Sequence, residues 1–169
     1  LEPALSTRFT RGVYLLDQGY VTSPLRLAQT LAAQFQRDGG VIERRELRDI
    51  EIGAEGPKAL VLDGERTPVE TLLVTAGVHS GWMAKKLGER VLLEAERGYH
   101  VQFESPGIAL SRPVSSAGGK FFASPMEMGL RVAGTTEFAG LDRPANPRRA
   151  QVLLEHAKRM FPDLRTEAM

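Results

Sequence analysis

Between Val91 and Ala139 four strand-like runs follow one another: Val91–Phe103, Ile108–Val114, Phe121–Pro125 and Leu130–Phe138. Only turn signals separate them, at Ser105-Pro106-Gly107, Ala117-Gly118-Gly119 and Met128-Gly129. Connections this short have no room for a crossover helix, so successive strands must pair antiparallel. The pattern therefore predicts an antiparallel meander. With the helical stretches on either side, it sets the fold class as α+β, or mixed α/β, built around a largely antiparallel sheet with flanking helices.

Those helices are legible from periodicity and caps. Pro24 to about Arg37 carries an apolar stripe at Leu27, Ala28, Leu31, Ala32 and Phe35, with Thr22 and Ser23 as capping types and Asp38-Gly39-Gly40 as a stop. A second helix, Pro147 to Phe161, is capped by Asn146 and buries Ala150, Leu153, Leu154, Ala157, Met160 and Phe161. A strand-rich stretch opens at Val41 and Ile42, in which Lys58–Leu62 and Glu70–Thr75 flank the turn dipeptide Asp63-Gly64. Leu72-Leu73-Val74 reads as a strand buried on both faces, running into Thr75-Ala76-Gly77 and then a short helix, Gly81–Leu87, capped by Ser80.

Composition removes several function classes. The net charge is +1, and the basic residues alternate with acidic ones, so no field favours nucleic acid. Glu43-Arg44-Arg45-Glu46 reads as a solvated strand edge. There is no cysteine, hence no disulfide, thiolate nucleophile or thiolate-ligated metal. No run approaches the roughly 20 apolar residues a membrane helix needs. His79 and His156 are isolated, without metal-ligand spacing, so no metal is expected. Ser111, Ser115 and Ser116 lack a nucleophile elbow. None of the 17 glycines forms the G-x-G-x-x-G turn of a dinucleotide-binding unit, so any nucleotide cofactor has its main cradle outside this stretch.

What remains is a small set of candidates. Thr75-Ala76-Gly77 would let a ligand approach the backbone, although on spacing alone an ordinary strand-to-helix turn is the commoner reading. In Arg97-Gly98-Tyr99-His100 strand alternation puts Tyr99 and His100 on opposite faces, so at most one of them faces a given pocket. His100 suits a general base or a hydrogen-bond partner, against the commoner surface histidine. Glu94, Glu96 and Glu137 read as solvated strand carboxylates, and Trp82 as core.

Together these segments resemble the D-amino-acid oxidase-like flavoprotein superfamily, in particular bacterial FAD-dependent D-amino-acid dehydrogenases. The stretches that carry the resemblance are Gly19-Tyr20-Val21-Thr22-Ser23-Pro24 entering the first helix, Leu72 to Gly77, Arg97 to Val101, and above all Leu130 to Gly140. The family's N-terminal G-x-G-x-x-G unit would precede Leu1, and its C-terminal flavin and substrate segment would follow Met169, so a central piece of a longer chain is expected. Where relatives often carry Ala-Trp-Ser, this chain has Val78-His79-Ser80.

The resemblance implies residues 1–90 as a partial FAD-binding domain, 91–142 as the substrate-binding sheet, and 143–169 as a helix with a truncated end. It implies FAD, held in the full-length protein, with the backbone of Leu47 near the adenine and Thr75, Ala76 and Gly77 near the diphosphate. Tyr99, His100 and Met126 would bind substrate. The implied reaction is oxidation of a D-amino acid or similar amine to an imine and then a keto acid, by hydride transfer to flavin, with this piece alone inactive. A glycine- or sarcosine-type amine oxidase, or a non-catalytic binding module, are the alternatives. A membrane quinone as acceptor and a cytoplasmic location, peripheral to the inner membrane, belong to the same expectation.

Overall fold

The computed structural model describes residues 2–166. Leu1 and residues 167–169, onto which the expected truncated end extends, lie outside the described residues. The element order is α1 (Pro24–Arg37), β1 (Leu47–Gly53), β2 (Gly56–Leu62), β3 (Glu65–Pro68), α2 (Ser80–Lys86), β4 (Glu96–Phe103), β5 (Val114–Ser116), β6 (Phe121–Met126), β7 (Gly129–Phe138) and α3 (Pro147–Met160). All strand pairings are antiparallel, in two sheets ordered β1-β2-β3 and β4-β7-β6-β5. The chain divides by packing into two units, residues 1–33 with 96–169, and residues 34–95. Packing thus groups α3 and the N-terminal stretch with the larger sheet, a different partition from boundaries at 90 and 142.

In the first unit, β5, β6 and β7 form the expected meander, but β4 joins the far side of β7 rather than pairing with β5. The reason lies in the link between them. Residues 104–113 are long enough to let the chain cross to the other edge, whereas two-residue turns would have forced neighbours to pair. The expected strand at Ile108–Val114 shrinks to β5, starting at Val114, and Val91–Ala95 form no strand.

The core of this unit lies between one face of the sheet and α3. Phe103, Phe121, Ala123, Leu130 and Val132 meet Leu153, Ala157, Met160 and Phe161 there. α3 starts where its cap predicts: the Asn146 side chain accepts from the Arg148 N–H at 3.1 Å, with Pro147 in the first turn.

One irregularity organises the sheet. Gly98 pairs with Thr136 but Tyr99 pairs with Gly134, leaving Thr135 as an extra, unpaired residue in β7. Thr135 has φ +57, a left-handed conformation that a β-branched residue seldom adopts.

The second unit is built on a double hairpin. Asp63 and Gly64 both have positive φ (+52 and +91), the twist a tight two-residue hairpin requires. The turn is as expected, but its second strand is Glu65–Pro68 rather than Glu70–Thr75, and β1 adds a strand that periodicity missed. Arg45 departs from a solvated charge run. It holds Asp63 at 3.0 Å, Glu65 at 2.7 Å and the Leu62 carbonyl at 3.0 Å, fastening the hairpin.

Leu72-Leu73-Val74 form no strand, and Leu73 is 83% exposed. Such a run is buried only when strands flank it on both sides, and no segment among the described residues pairs with it. Ser80 does not cap α2 either. The 3-10 turn Gly77–His79 runs straight into the helix, and the Ser80 hydroxyl instead accepts from the Ala76 N–H at 3.1 Å.

Candidate functional site

The large sheet has two faces of different character. Strand alternation sends Tyr99, Val101, Phe121, Ala123, Leu130 and Val132 toward α3. The opposite face carries His100, Gln102, Phe122, Ser124, Met126, Arg131 and Ala133. Cross-strand pairing arranges these in rows: His100–Ala133–Phe122, then Gln102–Arg131–Ser124, then Gly129–Met126. Residues directly opposite one another share a face with Cβ atoms about 5 Å apart. No element of this unit's core covers the first row, and Phe122 is 59% exposed.

This geometry brings His100 and Met126 onto one face and leaves Tyr99 on the other. The Tyr99 hydroxyl donates to the Glu137 carboxylate and accepts from the Asn146 N–H at 2.7 Å, and Arg149 lies 5.9 Å over its ring. Tyr99 therefore ties β4 to β7 and to the start of α3.

Glu137 is the centre of that tie. Its side chain is 11% exposed, with Arg97 at 3.3 Å and Arg149 Nε at 3.3 Å. The latter is an ion-pair distance without hydrogen-bond alignment. Arg149 also donates to the Thr136 carbonyl at 2.7 Å. The Tyr99 hydrogen bond holds the Glu137 carboxyl below its ordinary value. Desolvation opposes this, and Arg149, Arg97 and Arg143 add to the lowering. A solvated carboxylate was the reading from sequence. The bulge overturns it: the extra residue at 135 reverses the alternation, so Glu137 turns to the α3 side instead of the open one. An open cleft of about 640 Å³ adjoins this cluster, between the end of β7 and the start of α3.

Sequence reasoning missed Phe122 and Arg131. Both were inside recognised strand runs, and pairing register alone decides which side of the sheet each meets. The usable signal was period-two alternation counted from His100, but it needs the order of strands to become a surface.

In the second unit, Leu47 opens β1, the edge strand of its sheet, so one backbone edge of that strand has no strand partner among the described residues. Thr75 and Gly77 are exposed, Gly77 has φ +56, and open space lies where its Cβ would stand. Among the described residues no cluster of histidine and acidic side chains suits a metal ion. No helix among them is long and apolar enough to cross a membrane.

The family model that matches describes FAD dependent oxidoreductases of the DAO type, over residues 1–169. The chain belongs to this DAO family. A D-amino-acid oxidase of Bradyrhizobium diazoefficiens is 30% identical over 163 residues, covering 96% of this chain and 39% of the relative. D-amino acid dehydrogenase 3 of Mesorhizobium japonicum is 31% identical over 182 residues, covering 99% of this chain and 42% of the relative. A glycine oxidase from Bacillus cereus superposes with a TM-score of 0.66 at 18% identity, over 80% of this chain and 38% of that one, a likeness of fold alone. The chain spans about two fifths of the length of the curated relatives it matches.

Local structure is compatible with the DAO family's cofactor. A dinucleotide's diphosphate needs backbone approached without side-chain obstruction, and the turn at Thr75-Ala76-Gly77, exposed at Thr75 and Gly77 with open space beside Gly77, offers that. The unpaired edge of β1 at Leu47 suits hydrogen bonding to a planar base.

Proposed function

We propose that the full-length protein oxidises a D-amino acid, or a closely similar amine, using FAD, and that this chain supplies the substrate-facing sheet and part of the flavin contacts. The observation that carries the reading is the uncovered row His100–Ala133–Phe122 in a chain of the DAO family. The chemistry FAD supplies when bound is acceptance of a hydride, which leaves the amine as an imine that hydrolyses to a keto acid and ammonia. The chain's own residues bind and orient. His100 is the hydrogen-bond partner for the substrate amine, Phe122 and Met126 are apolar walls that exclude water, and small Ala133 leaves the gap between them. Leu47 lies along the adenine, and Thr75, Ala76 and Gly77 along the diphosphate. Tyr99 contributes by fixing β4, which carries His100. The electron acceptor is oxygen or a quinone at the cytoplasmic surface of the inner membrane, the relatives including both an oxidase and dehydrogenases.

The test is direct. The full-length protein should purify with flavin absorbance, and D-alanine added without oxygen should bleach it and release ammonia. Quinone or dye reduction, set against oxygen consumption, separates the acceptors. His100→Ala should lower kcat/KM by about tenfold or more. A colourless protein that takes up no FAD would return the chain to a non-catalytic binding role, and an unchanged kcat/KM would remove His100 from the site.

A further inference from the structure

A second open cleft, of about 790 Å³, lies on the α3 side of the larger sheet, opposite the face that carries His100. Its walls are the N-terminal stretch at residues 9–15, the turn between β5 and β6, and the last turns of α3, all within one packed unit. The N-terminal stretch is tied down on both sides of the cleft. Before it, the buried Glu2 carboxylate accepts from the Ser111 N–H at 3.1 Å and hydroxyl at 2.8 Å, and the Ser6 N–H donates to the Met160 carbonyl at 2.8 Å. Beyond it, the Arg112 guanidinium lies 4.7 Å over the Tyr14 ring. Residues 9–13 are strung between these ties, so the wall they form is held in place.

The floor is apolar, with Phe121 and Met160 buried and Phe9 exposed beside them. The turn satisfies its own backbone: Ser116 Oγ accepts from the Gly119 N–H at 3.0 Å, and the Gly119 carbonyl accepts from His156 Nδ1 at 3.2 Å. A carbonyl only accepts, so Nδ1 carries a proton and Nε2 is the ring nitrogen left for a ligand. The wall charges are of one sign. Arg11 comes from the N-terminal stretch and Arg159 from α3, and no acidic residue among those described lines the cleft. Neither arginine enters an ion pair among the described residues, although Glu155 and Asp163 stand one turn either side of Arg159. Two guanidinium groups lining one cleft repel each other, and an anion between them turns that repulsion into attraction.

We propose that this cleft binds a small organic acid with an apolar tail, the tail against Phe9, Phe121 and Met160 and the acid group between Arg11 and Arg159, beside His156. An apolar concavity with a few polar groups of one charge is the make-up such a ligand requires. An aliphatic carboxylate presents this chemistry, and so does a 2-oxo acid with an apolar side chain, the class of product that the reaction proposed above releases. The site itself does not depend on that reaction.

Calorimetry on the full-length protein tests it with octanoate, octanol and 4-methyl-2-oxopentanoate, in wild type and in Arg11→Gln combined with Arg159→Gln. Wild type should bind octanoate about tenfold more tightly than octanol, and the double variant should weaken that binding by about tenfold or more. The double variant should keep the wild-type melting temperature and kcat/KM, since both arginines are exposed and lie off the His100 face. Tighter binding of the oxo acid than of octanoate, lost in the double variant, assigns the product class, and the reverse order assigns aliphatic carboxylates. An octanoate isotherm that is the same in wild type and double variant overturns the proposal. So does equal binding of octanoate and octanol by the wild type, or binding of neither acid at millimolar concentration. Should no D-amino acid reduce the flavin, the amine-oxidising reading fails while calorimetry still decides the cleft.

Discussion

Glu137 concentrates more interactions than any other carboxylate of the sheet, and its environment makes a pH prediction with a definite sign. Its folded-state pKa is depressed, first by the Tyr99 hydroxyl and then by three arginines, against a desolvation that works the other way. A depressed carboxyl contributes stability that is present above the unfolded value, about 4.3, and is lost as pH falls through the folded value. Wild-type stability should therefore drop faster than that of Glu137→Gln as pH is taken from about 5 down toward 3, as read by denaturant titration. Parallel pH profiles for the two proteins would contradict this. Gly129 makes a second prediction. It has φ +104, and an added Cβ would collide with the Phe103 carbonyl, so neither conformation nor space admits a side chain. Gly129→Ala should cost about 2 kcal/mol or more in unfolding free energy, where an unstrained glycine-to-alanine change would instead stabilise by up to about 1 kcal/mol.

α3 shows the division between what a sequence dictates and what it leaves to the partner. Its cap at Asn146 and its buried stripe through Leu153, Ala157, Met160 and Phe161 were legible because a helix satisfies its own backbone and declares its buried face by period. Asn146→Ala should cost about 1 kcal/mol, from the lost bond to the Arg148 N–H. Leu153→Ala, which empties fully buried volume between helix and sheet, should cost roughly 2–5 kcal/mol. Thermal unfolding that ranks the two the other way would contradict the packing described. α1 was located equally well, ends included, yet its expected apolar face is not buried: Leu31 is 62% exposed. The strands were harder. β6 and β7 were legible because a tight turn joins them, but β1 was missed, Val91–Ala95 overread, and Leu72-Leu73-Val74 taken for a buried strand. A strand exists only by pairing, and a short apolar run does not name its partner. The candidate site inherits that limit. His100 and Met126 could be named singly, while Phe122 and Arg131 join them only through register.

The whole molecule is two packed units of a DAO family chain that spans about two fifths of the length of its curated relatives. Its cofactor is the feature to test at this scale. FAD added to the full-length apoprotein should raise the melting temperature in proportion to the logarithm of ligand concentration, as binding to the folded state alone requires. Gly77→Val should weaken FAD binding by roughly tenfold, because φ +56 and close approach both exclude a β-branched residue. Retained affinity would move the diphosphate elsewhere. The supernumerary residue at Thr135 carries a final consequence, for exchange of parts between homologues. β7 is written in two reading frames, one on each side of that position, so straightening the strand while keeping Thr135 would put the Glu137 charge where substrate is proposed to lie and pull Thr136 into the interior, whereas removing the bulge and Thr135 together leaves both on their present sides. Chimaeras joined within this strand should work when Thr135 and the bulge are kept together or omitted together, and fail when one is kept without the other.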